Sequence, residues 1–110
     1  MKTIKIATEF SETPLGRYQT DGDFNGTKFR EDLLCPALTT NDKVIVDIDD
    51  VEGYGSSFLD EAFGGLVRKG HFTAAALKNK LTIQYHRPEF EMYHDLVWKY
   101  IEDAKPDKRK

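Results

Sequence analysis

The stretch Lys43–Ile48 (KVIVDI) constrains the fold of this chain more than any other segment. Its apolar residues are β-branched and fall on both faces of an extended strand. A short strand that is apolar on both faces is typically a central strand covered by helices. Alternating or β-branched patterns predict three further strands, at Thr3–Thr8, Gly16–Thr20 and Lys80–Tyr85. The dipeptide Asp21-Gly22 is a turn signal that would close the first two strands into a hairpin.

Apolar residues at helical spacing predict three main helices, at Thr27–Leu34, Ser56–Lys69 and Glu89–Asp103, and a shorter helical turn at Thr73–Leu77. Because the later strands alternate with helices, the order favours helices packed on a partly parallel sheet. The prediction is therefore a single α/β domain with a mixed β-sheet of about four strands and three main helices. The domain is expected to span residues 1–104, and residues 105–110 are expected to form a flexible charged tail.

Composition narrows the classes of function. The chain has 110 residues, the usual size of one domain, and a net charge of −3. Its basic residues cluster only at the end, so binding to nucleic acid is not expected. One cysteine, Cys35, excludes an internal disulfide. The first residues, MKTIKIATEF, alternate in polarity, unlike a signal peptide or a membrane span, so a cytoplasmic protein without membrane contact is expected.

The segment VIVDIDDVEGYGSSFLDEAFGGLVR resembles a known family. It is similar to STAS domains, the anti-anti-sigma regulators, and more closely to the uncharacterised STAS-like family (DUF4325). The upstream segment GRYQTDGDFNGTKFREDLLCPAL supports the resemblance, which extends over most of residues 14–100. The resemblance implies a STAS-like fold and a regulatory or protein-interaction module that is not an enzyme and needs no cofactor.

The resemblance also implies a phosphorylation site. In STAS regulators, a partner kinase, usually a GHKL-type ATPase, phosphorylates a serine at the start of the helix that follows the central strand. The family string is Asp-Ser-Ser-Gly, so the phosphoacceptor here would be Ser56, followed by Ser57. Gly55 stands in place of the Asp, and Phe58 in place of the Gly. The implied partner-binding surface comprises Gly53, Tyr54, Gly55, Ser56, Ser57, Phe58, Asp60 and Glu61.

Physical chemistry leaves two interpretations of these residues open. Gly53 and Gly55 suit a tight turn with positive φ, and both serines are good helix N-caps. Ser57 and Asp60 have the spacing of a capping box, in which the serines would be structural only. Alternatively, one serine is phosphorylated or bound by a partner. The N–H groups at the start of the helix would hold a phosphate, while nearby acids would oppose it.

The pair Gly64-Gly65 is unusual inside a helix, because each glycine costs about 1 kcal/mol relative to alanine. Close packing of this helix on the sheet would compensate for that cost. Close approach of a partner's helix is the alternative explanation.

An enzymatic alternative rests on Asp47, Asp49 and Asp50 at the end of the central strand. Carboxylates in such a place can hold Mg²⁺, as a small metal- or nucleotide-dependent phosphotransfer enzyme would require. The histidines, His71, His86 and His94, have no metal-binding spacing in the sequence and are expected at the surface or at the edge of the core. The favoured hypothesis has neither a metal nor a catalytic residue, and the sequence leaves the oligomeric state open.

Overall fold

A computed structural model describes residues 1–107, in which three strands form one parallel sheet. The strands are β1 (Lys2–Lys5), β2 (Val44–Asp47) and β3 (Leu81–Gln84), and their order in the sheet is β1-β2-β3. The central position predicted for the strand within residues 43–48 is therefore confirmed. The three strands are level with one another along their whole length, so that Lys2 lies beside Val44 and Asp47 lies beside Gln84.

The prediction of a four-stranded mixed sheet is wrong in its details. The segment Gly16–Thr20 forms no strand, because its backbone is bonded elsewhere. The carbonyl of Gly16 accepts from the Gly26 N–H and that of Arg17 from the Thr27 N–H, both at the start of a helix. The Arg17 N–H donates to the Asp21 carboxylate, and a short 3₁₀ turn follows at Gln19–Asp21. No hairpin forms, and β1 pairs with β2 instead.

Five helices surround the sheet within the described residues, where three main helices were predicted. Helix α1 spans Ile6–Glu9, α4 spans Ala74–Lys80 and α5 spans Glu91–Asp103, after a 3₁₀ turn at Pro88–Phe90. Helix α2 is continuous over residues 26–40 and consists of Gly26–Phe29, a wide π turn at Arg30–Leu34, and Cys35–Thr40. Helix α3 is continuous over residues 56–68 and consists of Ser56–Leu59, a π turn at Asp60–Gly64, and Gly65–Arg68.

Helix α2 runs past Pro36 to Thr40. The sequence left open whether this helix would end near Cys35 or kink at Pro36 and continue to Leu38. Proline has no N–H and clashes with the preceding turn of a regular helix. Here the π turn Arg30–Leu34 comes immediately before Cys35 and Pro36 and widens the helix at that point. The helix therefore accommodates the proline and continues to Thr40.

Helix α3 is the centre of the packing. It contacts α2 on one side and α5 on the other, and every residue from Glu61 to Val67 is buried. Its Phe58 and Phe63 rings lie 6.0 Å, centroid to centroid, from the Phe29 ring of α2. The helix ends as predicted at Gly70, which adopts a φ of 77° just past its last turn.

A buried ion pair joins α2 to α3. Arg30 and Glu61 are only 2% and 4% exposed, and Arg30 Nη1 donates to Glu61 Oε2 at 2.9 Å and to the Glu61 carbonyl. Two glycines make room for it. A Cβ on Gly65 would lie 2.1 Å from Arg30 Nη1, and one on Gly26 would lie 2.8 Å from the Glu61 Cβ.

The cost of Gly64-Gly65 is thus compensated by neighbouring helices, whereas packing on the sheet was expected. A Cβ on Gly64 would lie 2.7 Å from an Asp60 oxygen and 3.4 Å from the Tyr100 carbonyl of α5. Both glycines therefore serve contacts inside this chain.

The predicted tail is partly described. In residues 105–107 the backbone is not helical, and the Asp107 N–H donates to the Arg68 carbonyl at 2.8 Å. Residues 108–110 of the predicted tail lie outside the described residues. Within residues 1–107, no helix combines the length and the apolar character needed to cross a bilayer.

We predict that Gly65→Ala destabilises the domain although alanine is the better helix former. The alanine gain is about 1 kcal/mol, whereas overpacking a core costs about 1–3 kcal/mol, and the buried Arg30 guanidinium has little freedom to move away. The overpacking cost should lie in the upper part of that range, because the added Cβ would be 2.1 Å from Arg30 Nη1. We therefore expect a net loss of about 1–2 kcal/mol in the free energy of unfolding, measured by urea denaturation.

Gly53→Ala is the matched control, because the nearest atom to its added Cβ is the Tyr93 hydroxyl at 3.6 Å. Equal stability of Gly65→Ala and the wild type would contradict close packing of Arg30 on this helix.

Candidate functional site

Helix α3 begins with two serines that do not cap it. Gly55 is the N-cap, with no side-chain cap, and Ser56 and Ser57 are the first two helical residues. Both are exposed, and neither hydroxyl bonds to another described residue. The predicted capping box is absent, because Ser57 lies inside the helix instead of at its N-cap, and the Asp60 carboxylate accepts from Arg17 and Arg68. The interpretation of these serines as structural caps is therefore wrong.

In the loop before α3, the residue with a positive φ is not one of the two glycines that were predicted to have it. Gly55 has a φ of −78°, and Gly53 is not among the described residues with positive φ. Asp50, with a φ of 69°, adopts the left-handed conformation at the start of the loop. An aspartate tolerates this conformation better than most residues do.

The predicted partner-binding residues divide by exposure. Gly55, Ser56 and Ser57 are exposed, Gly53 and Asp60 are half-buried, and Tyr54, Phe58 and Glu61 are buried. The buried ones have roles inside the fold. The Tyr54 hydroxyl donates to the Ile48 carbonyl at 2.8 Å, Phe58 packs on the Phe29 ring, and Glu61 pairs with Arg30. A partner that meets this surface would therefore touch the start of α3.

A recess of about 470 Å³ opens beside Ser57. The loop that lines its other side was not predicted from the sequence. The loop residues Leu15, Gly16, Arg17, Tyr18 and Asp21 line it together with Ser57. Leu15 and Tyr18 are 60% and 55% exposed, which is high for large apolar side chains. The loop reaches α3 through long-range bonds, so no local pattern in the sequence indicates the contact.

The two acids near the serines are both paired with arginines. Arg17 Nη1 lies 2.9 Å from Asp60 Oδ2, and Arg68 Nη1 lies 3.0 Å from Asp60 Oδ1. Burial raises the pKa of Asp60, but the hydrogen bonds and charges of both arginines lower it more, and the net pKa is below its ordinary value. Asp60 therefore stays ionised in neutral solution, and its charge is compensated within the fold.

The lowered pKa of Asp60 predicts acid sensitivity. A carboxyl whose pKa is lower in the folded than in the unfolded state stabilises the fold above its unfolded value, 3.8 here, and the stabilisation is lost as the pH falls through the folded value. Asp60→Asn should therefore be less stable than the wild type at pH 7, and the difference should shrink below about pH 4. Urea denaturation across this range measures it. A difference that is independent of pH would contradict the role of the charge.

A second group of polar residues lies at the carboxyl end of the sheet. One ligand atom from each of Asp47, Asp49 and His86 falls within 4.8 Å of the others. Asp50, which the enzymatic hypothesis included, is not in this group. Its side chain is 73% exposed and faces Arg87 Nε at 3.8 Å. The three-aspartate arrangement is therefore wrong, and His86 was missed.

Hydrogen bonds hold this group in place. Asp49 Oδ2 accepts from the His86 N–H at 2.7 Å and lies 3.0 Å from His86 Nδ1, while Asp47 Oδ1 accepts from the Asp49 N–H at 2.9 Å. Burial raises the pKa of Asp49, but the bonds from His86 and from the Arg87 N–H outweigh burial and leave the pKa lowered. Asp49 is therefore a buried, ionised carboxylate.

The other two histidines pair with acids on the surface. His71 Nε2 lies 3.1 Å from Glu31 Oε2, and His94 Nδ1 lies 3.0 Å from Asp95 Oδ1. Cys35 is a free thiol of intermediate exposure. None of these three joins the polar group at the end of the sheet.

The structure defines the chain as a small α/β domain with a parallel sheet and a serine-led helix after the central strand. Comparison with protein families gives a match to the STAS-like domain of unknown function (DUF4325) over residues 25–85, more than half of the chain. The chain belongs to this family. The matched segment runs from the start of α2 to the end of β3 and includes Ser56 and Ser57. Neither the curated proteins nor the solved structures gave a match.

Proposed function

We propose that this STAS-like domain is a non-enzymatic interaction module that regulates a protein partner through the start of α3. The contact residues would be Gly55, Ser56 and Ser57 with the exposed rim of the recess beside them. Phosphorylation of one serine would switch the contact. The partner class that the resemblance to anti-anti-sigma domains implies is a GHKL-type ATPase or kinase.

The observation that carries the proposal is the state of the two serine hydroxyls. Both are exposed, and neither bonds to another residue of the described chain. A hydroxyl at the first turn of a helix lies beside N–H groups that have no partner within the helix, and those groups favour a phosphate. A kinase or a partner could thus engage either serine without disturbing the core.

The electrostatics of α3 also support the proposal. On sequence grounds, Asp60 and Glu61 would repel a phosphate on the preceding turn. In the structure Asp60 pairs with Arg17 and Arg68, and Glu61 pairs with Arg30. Because both charges are compensated, the repulsion is reduced. Arg17 also lines the recess next to Ser57, where a new phosphate would compete with Asp60 for its guanidinium.

The modification is tested by incubating the protein with a purified GHKL-type kinase and ATP and by locating the added phosphate by mass spectrometry. We expect phosphate on Ser56 or Ser57 and none on the double variant Ser56→Ala/Ser57→Ala. Ser11, the remaining serine of the chain, is the internal control. Phosphate on Ser11 alone, or none at all, would contradict the proposal.

The binding surface is tested with charged variants and calorimetry against the same GHKL-type protein. Ser56→Asp and Ser57→Asp place a negative charge at the start of α3, and at least one should weaken binding by about tenfold or more. Asn79→Asp adds the same charge at an exposed position of α4 and should bind as the wild type does. Equal affinity of all four proteins would overturn the proposed surface.

A further inference from the structure

The carboxyl ends of β2 and β3 bring three metal-ligating side chains together. In the parallel register Asp47 lies beside Gln84, and the Ile48 N–H donates to the Gln84 carbonyl, which extends the pairing by one residue. Asp49 and His86 each follow two residues after that matched pair. The sheet itself therefore places Asp49 opposite His86, with Asp47 one side chain away.

We propose that Asp47, Asp49 and His86 bind a divalent transition-metal ion, such as Mn²⁺, Co²⁺ or Zn²⁺. Two carboxylates and one imidazole form a ligand set that suits these ions better than Ca²⁺ or Mg²⁺, which prefer oxygen ligands alone. The site is separate from the start of α3, and the proposal does not depend on the proposed function.

The distances fit such an ion. Two ligand atoms that bind an octahedral metal side by side, each at about 2.1 Å, lie about 3 Å apart. Asp49 Oδ2 and His86 Nδ1 are 3.0 Å apart. All three ligand atoms lie within 4.8 Å of one another, so they would have to move closer together for all of them to bind one ion.

The charges of the two aspartates provide a second reason to expect a cation at this place. Asp47 and Asp49 are each only 9% exposed. Asp49 bonds to His86, whereas within residues 1–107 no lysine, arginine or histidine side chain forms an ion pair with Asp47. The nearest donor to Asp47 Oδ2 is the Gln84 side-chain amide at 3.5 Å, the outer limit of a hydrogen bond. Buried carboxylates normally have a cationic partner or a metal, because desolvation of an unpaired charge is costly.

The charges of Asp47 and Asp49 also act on the buried hydroxyl of Tyr54. The buried Tyr54 hydroxyl has a strongly raised pKa, first because of burial and then because of the charges of Asp47 and Asp49. The Arg87 side chain does not offset these charges, because it faces Asp50 and Glu89. A divalent cation would supply the missing positive charge.

An ion can reach this place from solvent. The His86 side chain is 74% exposed, whereas both aspartates lie beneath it. In the metal-free form His86 Nδ1 donates to Asp49, so metal binding at this nitrogen would replace that proton.

The test is calorimetry and thermal denaturation of the full chain with MnCl₂, CoCl₂, ZnCl₂ and MgCl₂. We expect one site per chain for at least one transition metal, a rise in Tm that increases with metal concentration, and Co²⁺ absorption bands characteristic of a protein-bound ion. Tighter binding of Mg²⁺ than of every transition metal, or no heat and no Tm shift at millimolar metal, would overturn the proposal.

Variants locate the site. His86→Ala alters an exposed side chain, so it should fold, and it should lower the metal affinity at least about tenfold; Asp49→Asn should do the same. Asp50→Asn removes an acid from the same loop, and His94→Ala removes a histidine elsewhere, and both should bind metal as the wild type does. Unchanged affinity in His86→Ala, or an equal loss in either control, would refute the assignment.

Discussion

The buried ion pair between Arg30 and Glu61 is the interaction on which the arrangement of the helices depends. Both side chains are almost completely shielded from water, and their opposite charges lie in direct contact. Arg30 also pairs with Glu31, and Glu61 lies within 4 Å of Arg17 and Arg68. Loss of either partner would remove the direct bond that joins α2 to α3 and leave the other buried charge with its weaker, more exposed partners. Gly26 and Gly65 have no side chains where these two need space, and α2 and α3 can therefore lie close together.

This pair also determines where the candidate interaction surface lies. Glu61 and Ser56 belong to the same continuous helix, so fixing Glu61 against α2 fixes the direction in which the helix begins. Asp60 pairs with Arg68 of the same helix and with Arg17, and it thereby attaches the loop around Arg17 to the same turn. A structural change at the first turn of α3 would consequently alter the position of the loop that lines the recess.

Much of the fold could be predicted from the sequence, because it follows from local patterns. The two-faced apolar pattern of Val44–Asp47 predicts a central strand, and Gly70 predicts the end of α3. The strand proposed at Gly16–Thr20 could not be excluded in this way. Its backbone groups bond to Asp21 and to the start of α2, and those contacts depend on where the helix lies.

The same distinction holds for the polar residues. The position of the serines at the start of α3 was predictable, whereas their lack of a capping role depends on the exact residue at which the helix begins, because Gly55 takes the N-cap position. His86 has no metal-ligand spacing along the chain, and only the pairing of Asp47 with Gln84 brings it to Asp49. If β2 and β3 are assumed to pair in parallel, counting two residues beyond the carboxyl end of each strand identifies Asp49 and His86 as neighbours.

The parallel sheet has a consequence for how the chain reaches its native state. Its register joins Lys2 to Val44 and Val44 to Leu81, so each partner strand is about forty residues away along the chain. No short hairpin is available to begin the sheet, and the entropy of closing one long loop must be overcome before each strand pairing forms. We therefore expect the helices to form and associate early, and the sheet to assemble late, in the rate-limiting step of folding.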